Sequence, residues 1–181
     1  MNTESIRWTP TALVSKYDAD QVDYVRRIAG VAEPNGSELA SLCTPYESIE
    51  VHGNLLTTAG LTRITSLIIG TLSTTLDSTR VRLGVGDSST AAAVGDTDLG
   101  TNKYYRVMDA TYPSASAGVL TFQSSFGTSD GNFAWQCWGL DVGTATVTSS
   151  ATVATLVNRK VSSLGTKTTG TWVFTVTITF S

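Results

Sequence analysis

The chain has 181 residues, of which 41% are hydrophobic and 15% charged, and its formal net charge at pH 7 is -3. This length suffices for one well-packed domain. The low and slightly acidic charge gives no reason to expect nucleic-acid binding, which would call for a basic stripe. No apolar run reaches transmembrane length, and the opening MNTESIRWTP lacks the basic and apolar regions of a signal peptide. We therefore expect a protein made in the cytosol that binds neither nucleic acid nor membrane.

Residues 1–53 form a polar region that we interpret as an extended N-terminal arm. They hold nearly half of the charged residues and three of the four prolines. Val22, Val25 and Ile28 could form one face of a helix of two or three turns, which is marginal unless it docks on something. The arm could lie along its own domain or reach to a neighbour. Residues 54–181 then form the folded domain.

One helix is predicted near residues 57–69, in the stretch NLLTTAGLTRITSLIIG. Apolar residues recur there at helical spacing, and we expect them to form the buried face: Leu61, Ile64, Leu67 and Ile68. Thr57 or Thr58 suits the N-terminal cap. Gly70 suits the C-terminal end. This helix should lie against a sheet edge or close one end of a sandwich.

The remainder of the chain alternates as β-strands do. In the last stretch, TGTWVFTVTITFS, every second residue from Trp172 to Phe180 is large and apolar, so one set of side chains enters a core. Val173 lies on the outward face, and we expect it to touch a neighbouring element or subunit. Six runs share this character: TRVRLGVG, KYYRVMDATYP, GVLTFQSSF, NFAWQCWGLDV, TATVTSSATVATLVNRKV and GTWVFTVTITFS. They predict a mainly β fold, an antiparallel β-sandwich or barrel with one short helix and an extended N-terminal arm.

The aromatic run NFAWQCWGLDV places three side chains on one face of its strand. Strict alternation puts Phe133, Trp135 and Cys137 together, which predicts that they are core residues, and Trp138 on the opposite face. Cys43 and Cys137 lie in neither a CxxC pair nor a Cys/His cluster, and a reducing cytosol argues against a disulfide between them.

The sequence offers no catalytic or cofactor-binding motif. His52 is the only histidine, and no nucleophile elbow accompanies it. GVGDSS begins like a dinucleotide fingerprint but has Ser89 in place of the third glycine and lacks a βαβ context. We interpret it as a tight strand-to-loop turn, in which Gly84 and Gly86 permit backbone angles that other residues avoid.

The acidic stretch around GDTDLG supplies Asp96 and Asp98, with Asp87 upstream. Closely spaced carboxylates can bind calcium. In a calcium loop starting at Asp96, however, Thr101 stands where glycine is needed and Val107 where the bidentate glutamate is needed. Aspartates in loops also stabilise turns through their own backbone, so the stretch favours a structural turn without metal.

Several stretches in a defined order resemble a known family. NLLTTAGLTRITSLIIG is followed by RVRLGVGDSSTAAAVGDTDLG, then MDATYP, then FGTSDGNFAWQCWGL, and LVNRKVSSLGTKTTGTWVFTVTITFS closes the chain. This order is similar to that of small virion structural proteins of tailed bacteriophages, over residues 54–181. The strand WQCWGL departs from the pattern, since many relatives carry an acidic residue near Cys137.

The resemblance implies a non-enzymatic virion component present in many copies, without a cofactor, with the major capsid protein or other virion proteins as partners. We expect a capsid decoration or cement protein that binds the outer shell and staples neighbouring capsomers, its arm ordering on neighbours. A homo-oligomer is expected, and the local threefold sites of a capsid favour a trimer. The alternative role in the virion is a tail, baseplate or head-to-tail adaptor protein.

A carbohydrate-binding module is the alternative from a different class. It would need exposed aromatic side chains in a groove, and Trp138, Tyr104 and Tyr105 are the candidate set. For contacts with other proteins, which aromatic side chains often anchor, we select five interface candidates: Trp8, Tyr17, Tyr24, Trp138 and Val173.

Overall fold

The computed structural model describes residues 8–72 and 75–180, which form two antiparallel sheets and three short helices. The spatial order of sheet 1 is β2 (Glu47–His52), β1 (Trp8–Tyr17), β10 (Thr171–Phe180), β7 (Val119–Phe126) and β6 (Ser114–Ser116). The order of sheet 2 is β3 (Leu55–Leu56), β9 (Asn158–Thr166), β8 (Ala134–Val142), β4 (Val81–Gly86) and β5 (Lys103–Val107). The helices are α1 (Ala19–Ala29), α2 (Gly36–Leu42) and α3 (Thr58–Ile68). The predicted mainly β sandwich is confirmed.

The main core lies between the two sheets and is rich in aromatic side chains. Alternate residues of β10 enter it, as the period-two pattern predicts, and Phe174 and Ile178 are fully buried. Trp135 from sheet 2 meets Trp172 edge-to-face, with ring centroids 4.7 Å apart. Burying one such ring stabilises the fold by about 1.5–3 kcal/mol. The sheets are therefore held together by interlocking rings from both sides.

The extended N-terminal arm is not found in the described residues. Strand β1 lies inside sheet 1 between β10 and β2, in a register with β10 that runs from Trp8 opposite Phe180 to Tyr17 opposite Thr171. Its inward side chains are buried, and Lys16 covers the Trp172 ring at 4.3 Å. The expectation was wrong because most charges of this region, apart from that of the buried Lys16, lie on the solvent-facing sides of short elements, which composition alone does not distinguish from an arm. Residues 1–7 lie outside the described residues.

Two helices follow β1 and cover the outer face of sheet 1, and the first of them, α1, is the short helix that the spacing of Val22 and Val25 allows. Each begins with a capping box, Asp18 with Gln21 in α1 and Asn35 with Glu38 in α2, so that backbone donors at each N-terminus are satisfied. Together with the sheet they enclose a second core cluster: Tyr17, Val22, Val25, Leu39 and Val173. The single predicted helix therefore becomes three, and the outward face of β10 is covered by elements of the same chain.

The strict alternation predicted for β8 is wrong at its centre. The pairing of β8 with β9 shifts between Trp135 and Cys137, as a β-bulge does when it adds one residue to a strand. Beyond this shift Trp138 points into the main core, while Cys137 joins a third cluster with Leu99 on the far side of sheet 2. Both tryptophans thus share one face, and the cysteine takes the other.

The run TATVTSSATVATLVNRKV belongs to a strand only in its last four residues, where β9 begins. The preceding loop is attached to a buried ion pair between Arg82 and Asp141. Arg82 donates to the Thr148 carbonyl at 2.7 Å, and Asp141 accepts from the Ala154 amide at 2.8 Å. Burial raises the pKa of Asp141, and Arg82 opposes that rise. Removing the carboxylate would leave a buried unpaired cation, which costs about 3–5 kcal/mol.

Gly84 and Gly86 are needed for close packing rather than for unusual backbone angles. Both lie in β4 and neither has a positive φ. A Cβ on Gly84 would lie 2.4 Å from the Tyr105 ring, and one on Gly86 would lie 2.2 Å from the Leu99 carbonyl oxygen. The glycine motif is therefore explained by the residues that pack over this strand.

Candidate functional site

Helix α3 is attached to the chain that leads into β9. Its cap Thr57, as predicted, accepts from the Gly60 amide at 2.9 Å and donates its hydroxyl to the Leu156 carbonyl at 2.6 Å. Gly60 faces the same segment so closely that a Cβ would lie 2.0 Å from the Val157 carbonyl oxygen. At the other end Gly70 follows the helix with φ +72°, as expected for a C-terminal glycine. These contacts determine which side of the helix faces inward.

The buried side of α3 matches only part of the face that its apolar spacing predicts. Gly60 and Arg63 are the buried residues, and Ile64 and Leu67 are half-buried. Leu61 and Ile68 are 53% and 77% exposed, and Ile69, which caps the helix, is 72% exposed. We call Leu61, Ile68 and Ile69 the α3 patch.

The surroundings of the α3 patch carry almost no charge. Between residues 57 and 72 the one charged side chain is Arg63, which is buried and donates to the Gly143 carbonyl at 3.3 Å. Burial, together with nearby Arg80, lowers the pKa of this arginine. Exposed neighbours of the patch are threonines and alanine such as Ala59, Thr62 and Thr65. The surface is therefore neutral and partly aliphatic.

A cavity of about 140 Å³ lies beneath α3, between the two sheets. Its lining is apolar throughout, and α3 and both sheets contribute to it. The lining includes Ile64, Leu67 and Ile68 from α3, Phe122 from sheet 1 and Leu140 from sheet 2. Phe180, which is 38% exposed at the end of β10, also lines it. The cavity thus reaches the surface beside the α3 patch.

Three of the five interface candidates are interior residues. Trp138 is fully buried, and Tyr17 and Val173 are nearly so beneath α1 and α2. Trp8 is half-buried, donates from Nε1 to Asn54 Oδ1 at 3.0 Å and packs against Phe180. Tyr24 is 41% exposed on α1, away from the other four. The structure does not bring these residues together on one surface.

The aromatic residues considered for carbohydrate binding do not form an exposed groove. Trp138 and Tyr105 are both fully buried, and Tyr104 is half-buried. The Tyr105 hydroxyl donates to Asp98 at 3.1 Å, and burial raises the pKa of this phenol. These rings serve the packing of sheet 2.

His52 lies on β2, at the edge of sheet 1, with a largely exposed side chain. Its Nε2 is 3.0 Å from a carboxylate oxygen of Glu50, and its Nδ1 is 3.3 Å from the hydroxyl of Thr11. The ring is on the open surface of the sheet rather than in an enclosed cleft, which is a poor setting for general base catalysis.

The aspartates of the GDTDLG region hold the loop between β4 and β5 in place. Asp87 accepts from the Asn102 amide at 3.0 Å, and Asp96 pairs with Arg159 at 2.8 Å. Burial raises the pKa of both carboxyls, but these hydrogen bonds outweigh it, so both pKa values lie below the ordinary range. Among residues 8–72 and 75–180, no group of His, Cys, Asp and Glu side chains is placed to hold a metal ion.

Lys167 is a buried cation that sequence reasoning did not single out. Its Nζ donates to the Gly127 carbonyl at 2.7 Å and to Asn132 Oδ1 at 2.8 Å. Burial lowers the pKa of Lys167 to about 8, against the opposing effect of Asp130 and Glu33. Its contacts join the turn between β9 and β10 to the loop between β7 and β8, so its role is structural.

Sequence reasoning also missed the α3 patch as a surface. The available signal was the run LIIG at the end of a helix with a single charged residue. Such a run suits a buried face as well as a contact surface, and only the orientation of the helix separates the two.

In the described part of the chain Cys43 and Cys137 are free, and none of the helices there is long and apolar enough to cross a membrane.

Comparison of the chain with protein-family models, with curated proteins and with solved structures finds no significant match.

Proposed function

We propose that this chain is a non-enzymatic structural protein of a tailed-bacteriophage virion, acting as a capsid decoration protein that cements neighbouring capsomers. The motif order across residues 54–181 motivates the virion assignment. The observation that carries a binding role is the α3 patch, because large aliphatic side chains gathered on an uncharged helix face are typical of a protein contact.

The location of the attachment surface differs from the sequence-based expectation. Stapling by an extended arm loses its support, since residues 8–53 belong to the folded domain. The α3 patch takes that role in the proposal. Covering the exposed part of each of its three side chains would contribute about 1–2 kcal/mol before the cost of association. Many weakly binding copies on a symmetric shell, or a homotrimer at a threefold site, would increase the overall affinity through multivalent attachment.

Two other ways of attaching to a surface, sugar binding and electrostatic attraction, have less support. Sugar binding through Trp138 and Tyr105 would require these buried rings to leave the interior. Attachment through charge would favour a strongly charged face, whereas none of the exposed side chains of α3 is charged. A neutral aliphatic patch fits a protein partner whose matching surface is also apolar.

The decisive experiment is cryo-electron microscopy of the particles that contain this chain, with a count of its copies. Hundreds of copies on the icosahedral shell, with α3 facing the capsid, would support the proposal. A ring of six or twelve copies on the tail axis would replace decoration by the adaptor role. Absence of the chain from particles would overturn the virion assignment itself.

A binding assay with shells that lack the chain tests the surface. The variant Leu61→Ser/Ile68→Ser/Ile69→Ser should weaken binding about 100-fold or more, since 1.4 kcal/mol is a factor of ten. Tyr24→Ser/Ile28→Ser is the matched control, because it removes exposed apolar side chains from α1 instead. Equal loss in both variants would argue against the α3 patch.

A further inference from the structure

The cavity beneath α3 is a candidate ligand site that is separate from the proposed virion role. We propose that it binds one small, uncharged, apolar molecule of about the size of a benzene ring. The inference depends on the volume, the lining and the access of this cavity, and it can be tested on the isolated protein.

The volume of the cavity matches such a ligand. It measures about 140 Å³, and an engineered apolar cavity of about 150 Å³ in another protein binds benzene or xenon. Close-packed interiors seldom leave voids larger than a water molecule. A space of this size in a core otherwise filled with interlocking rings is therefore large enough to act as a site.

The lining excludes water and charged ligands. A buried water needs two to four polar partners, and the side chains around this cavity offer hydrocarbon surface only: Ile64, Leu67, Phe122, Leu140, Val142 and Ile178. An apolar ligand would displace no bound water there and would gain dispersion contacts that the lining now lacks. A carboxylate or ammonium group would lose its hydration without compensation.

A ligand can reach the cavity from solvent between Ile68 and Phe180. Ile68 and Phe180 both line the cavity and are 77% and 38% exposed. Each therefore has one part against the interior and another against solvent. A ligand could enter between them by rotation of these side chains, without separation of the two sheets.

The test is thermal unfolding of the full chain with benzene, and with benzoate as the charged control. Benzene at about ten times its dissociation constant should raise Tm by roughly 3–5 °C, because a ligand that binds only the folded state stabilises it by mass action. Benzoate at the same concentration should leave Tm unchanged. Stabilisation by neither compound would overturn the proposal.

Two variants locate the binding. Ile64→Phe should fill the cavity and abolish the benzene shift, whereas Ile49→Phe changes another half-buried isoleucine outside the cavity and should keep it. An equal shift in both variants would place benzene elsewhere. Should Ile64→Phe fail to fold, a xenon-pressurised crystal of the unaltered chain decides the matter: xenon density beneath α3 supports the site, and its absence there overturns it.

Discussion

Helices α1 and α3 are both 11 residues long, yet they meet the sandwich in opposite ways. α1 buries Val22 and Val25 against sheet 1 and turns charged side chains such as Arg27 to solvent. α3 buries a glycine and an arginine and turns aliphatic side chains to solvent. The first helix therefore completes its own domain through its two valines, although Tyr24 and Ile28 stay exposed, whereas the second leaves more apolar surface for something else to cover.

The difference has a local cause at the start of α3. Thr57 and Gly60 both contact the chain around Val157, and the missing side chain of Gly60 allows the helix backbone to lie against that carbonyl. This contact sets the rotation of the helix about its axis. Leu61 follows directly and is carried outward with Ile68, which lies almost two helical turns later on the same side. An amphipathic pattern therefore does not by itself say which face is buried.

A large loss of stability is expected for Gly60→Ala, which breaks the contact that orients α3. Alanine normally favours a helix over glycine by about 1 kcal/mol, but here its Cβ would lie 2.0 Å from the Val157 carbonyl oxygen. We expect a net loss of about 3 kcal/mol in the free energy of unfolding, measured by urea titration, because backbone must move. Gly95→Ala, which has open space around it, is the control and should cost little.

Leu39→Ala and Leu61→Ala compare the two helical regions directly. Leu39 is fully buried on the inner side of α2, so its truncation should lower the free energy of unfolding by about 2–5 kcal/mol. Leu61 is 53% exposed, so the same change should cost less than about 0.5 kcal/mol. Chemical denaturation of both variants measures the contrast, and similar losses would show that the α3 patch is covered in solution.

Raising the pH into the alkaline range should increase the free energy of unfolding through the buried Lys167. Lys167 has a pKa of about 8 in the folded chain, against 10.5 for an ordinary lysine. Between these values the unfolded chain binds more protons, so the free energy of unfolding rises with pH, by up to about 3 kcal/mol. Urea titrations from pH 7 to 10 measure the rise.

Lys167→Met provides the reference for this pH dependence. The variant lacks the titrating amine, so its stability should not rise over the same interval. Tyr104 and Tyr105 have raised pKa values, and they lower stability at the upper end of the range in both proteins. The difference between the two proteins at each pH isolates the lysine, and a constant difference would contradict the prediction.

The smallest effect concerns the cap of α1. Asp18→Ala removes the carboxylate that accepts from the Gln21 amide at 2.9 Å and should cost about 1 kcal/mol. Asp23→Ala breaks only a surface pair with Arg26 and should cost about half as much or less. Thermal unfolding ranks the two, and the reverse order would show that the capping box contributes little to this region.

The features of the fold that depend on local periodicity and turn chemistry could be predicted from short stretches of the sequence. Alternation along β10 marks its inward residues, and the spacing around Thr57 and Gly70 marks the ends of α3. The departures of GDTDLG from a calcium loop correctly favour a turn held by aspartates, as Asp87 and Asp96 demonstrate. Each of these signals is complete within a dozen residues, so no knowledge of distant segments is needed.

Which face of each element is buried and which is exposed depends instead on contacts between distant parts of the chain. The bulge between Trp135 and Cys137 turns Trp138 inward, and pairing with β10 places the polar stretch after Trp8 inside a sheet. The approach of Gly60 to the chain before β9 exposes the α3 patch and leaves the cavity beneath it. The physical reason is the same throughout: register and helix rotation are set by contacts between residues up to about 170 positions apart, such as Trp8 with Phe180.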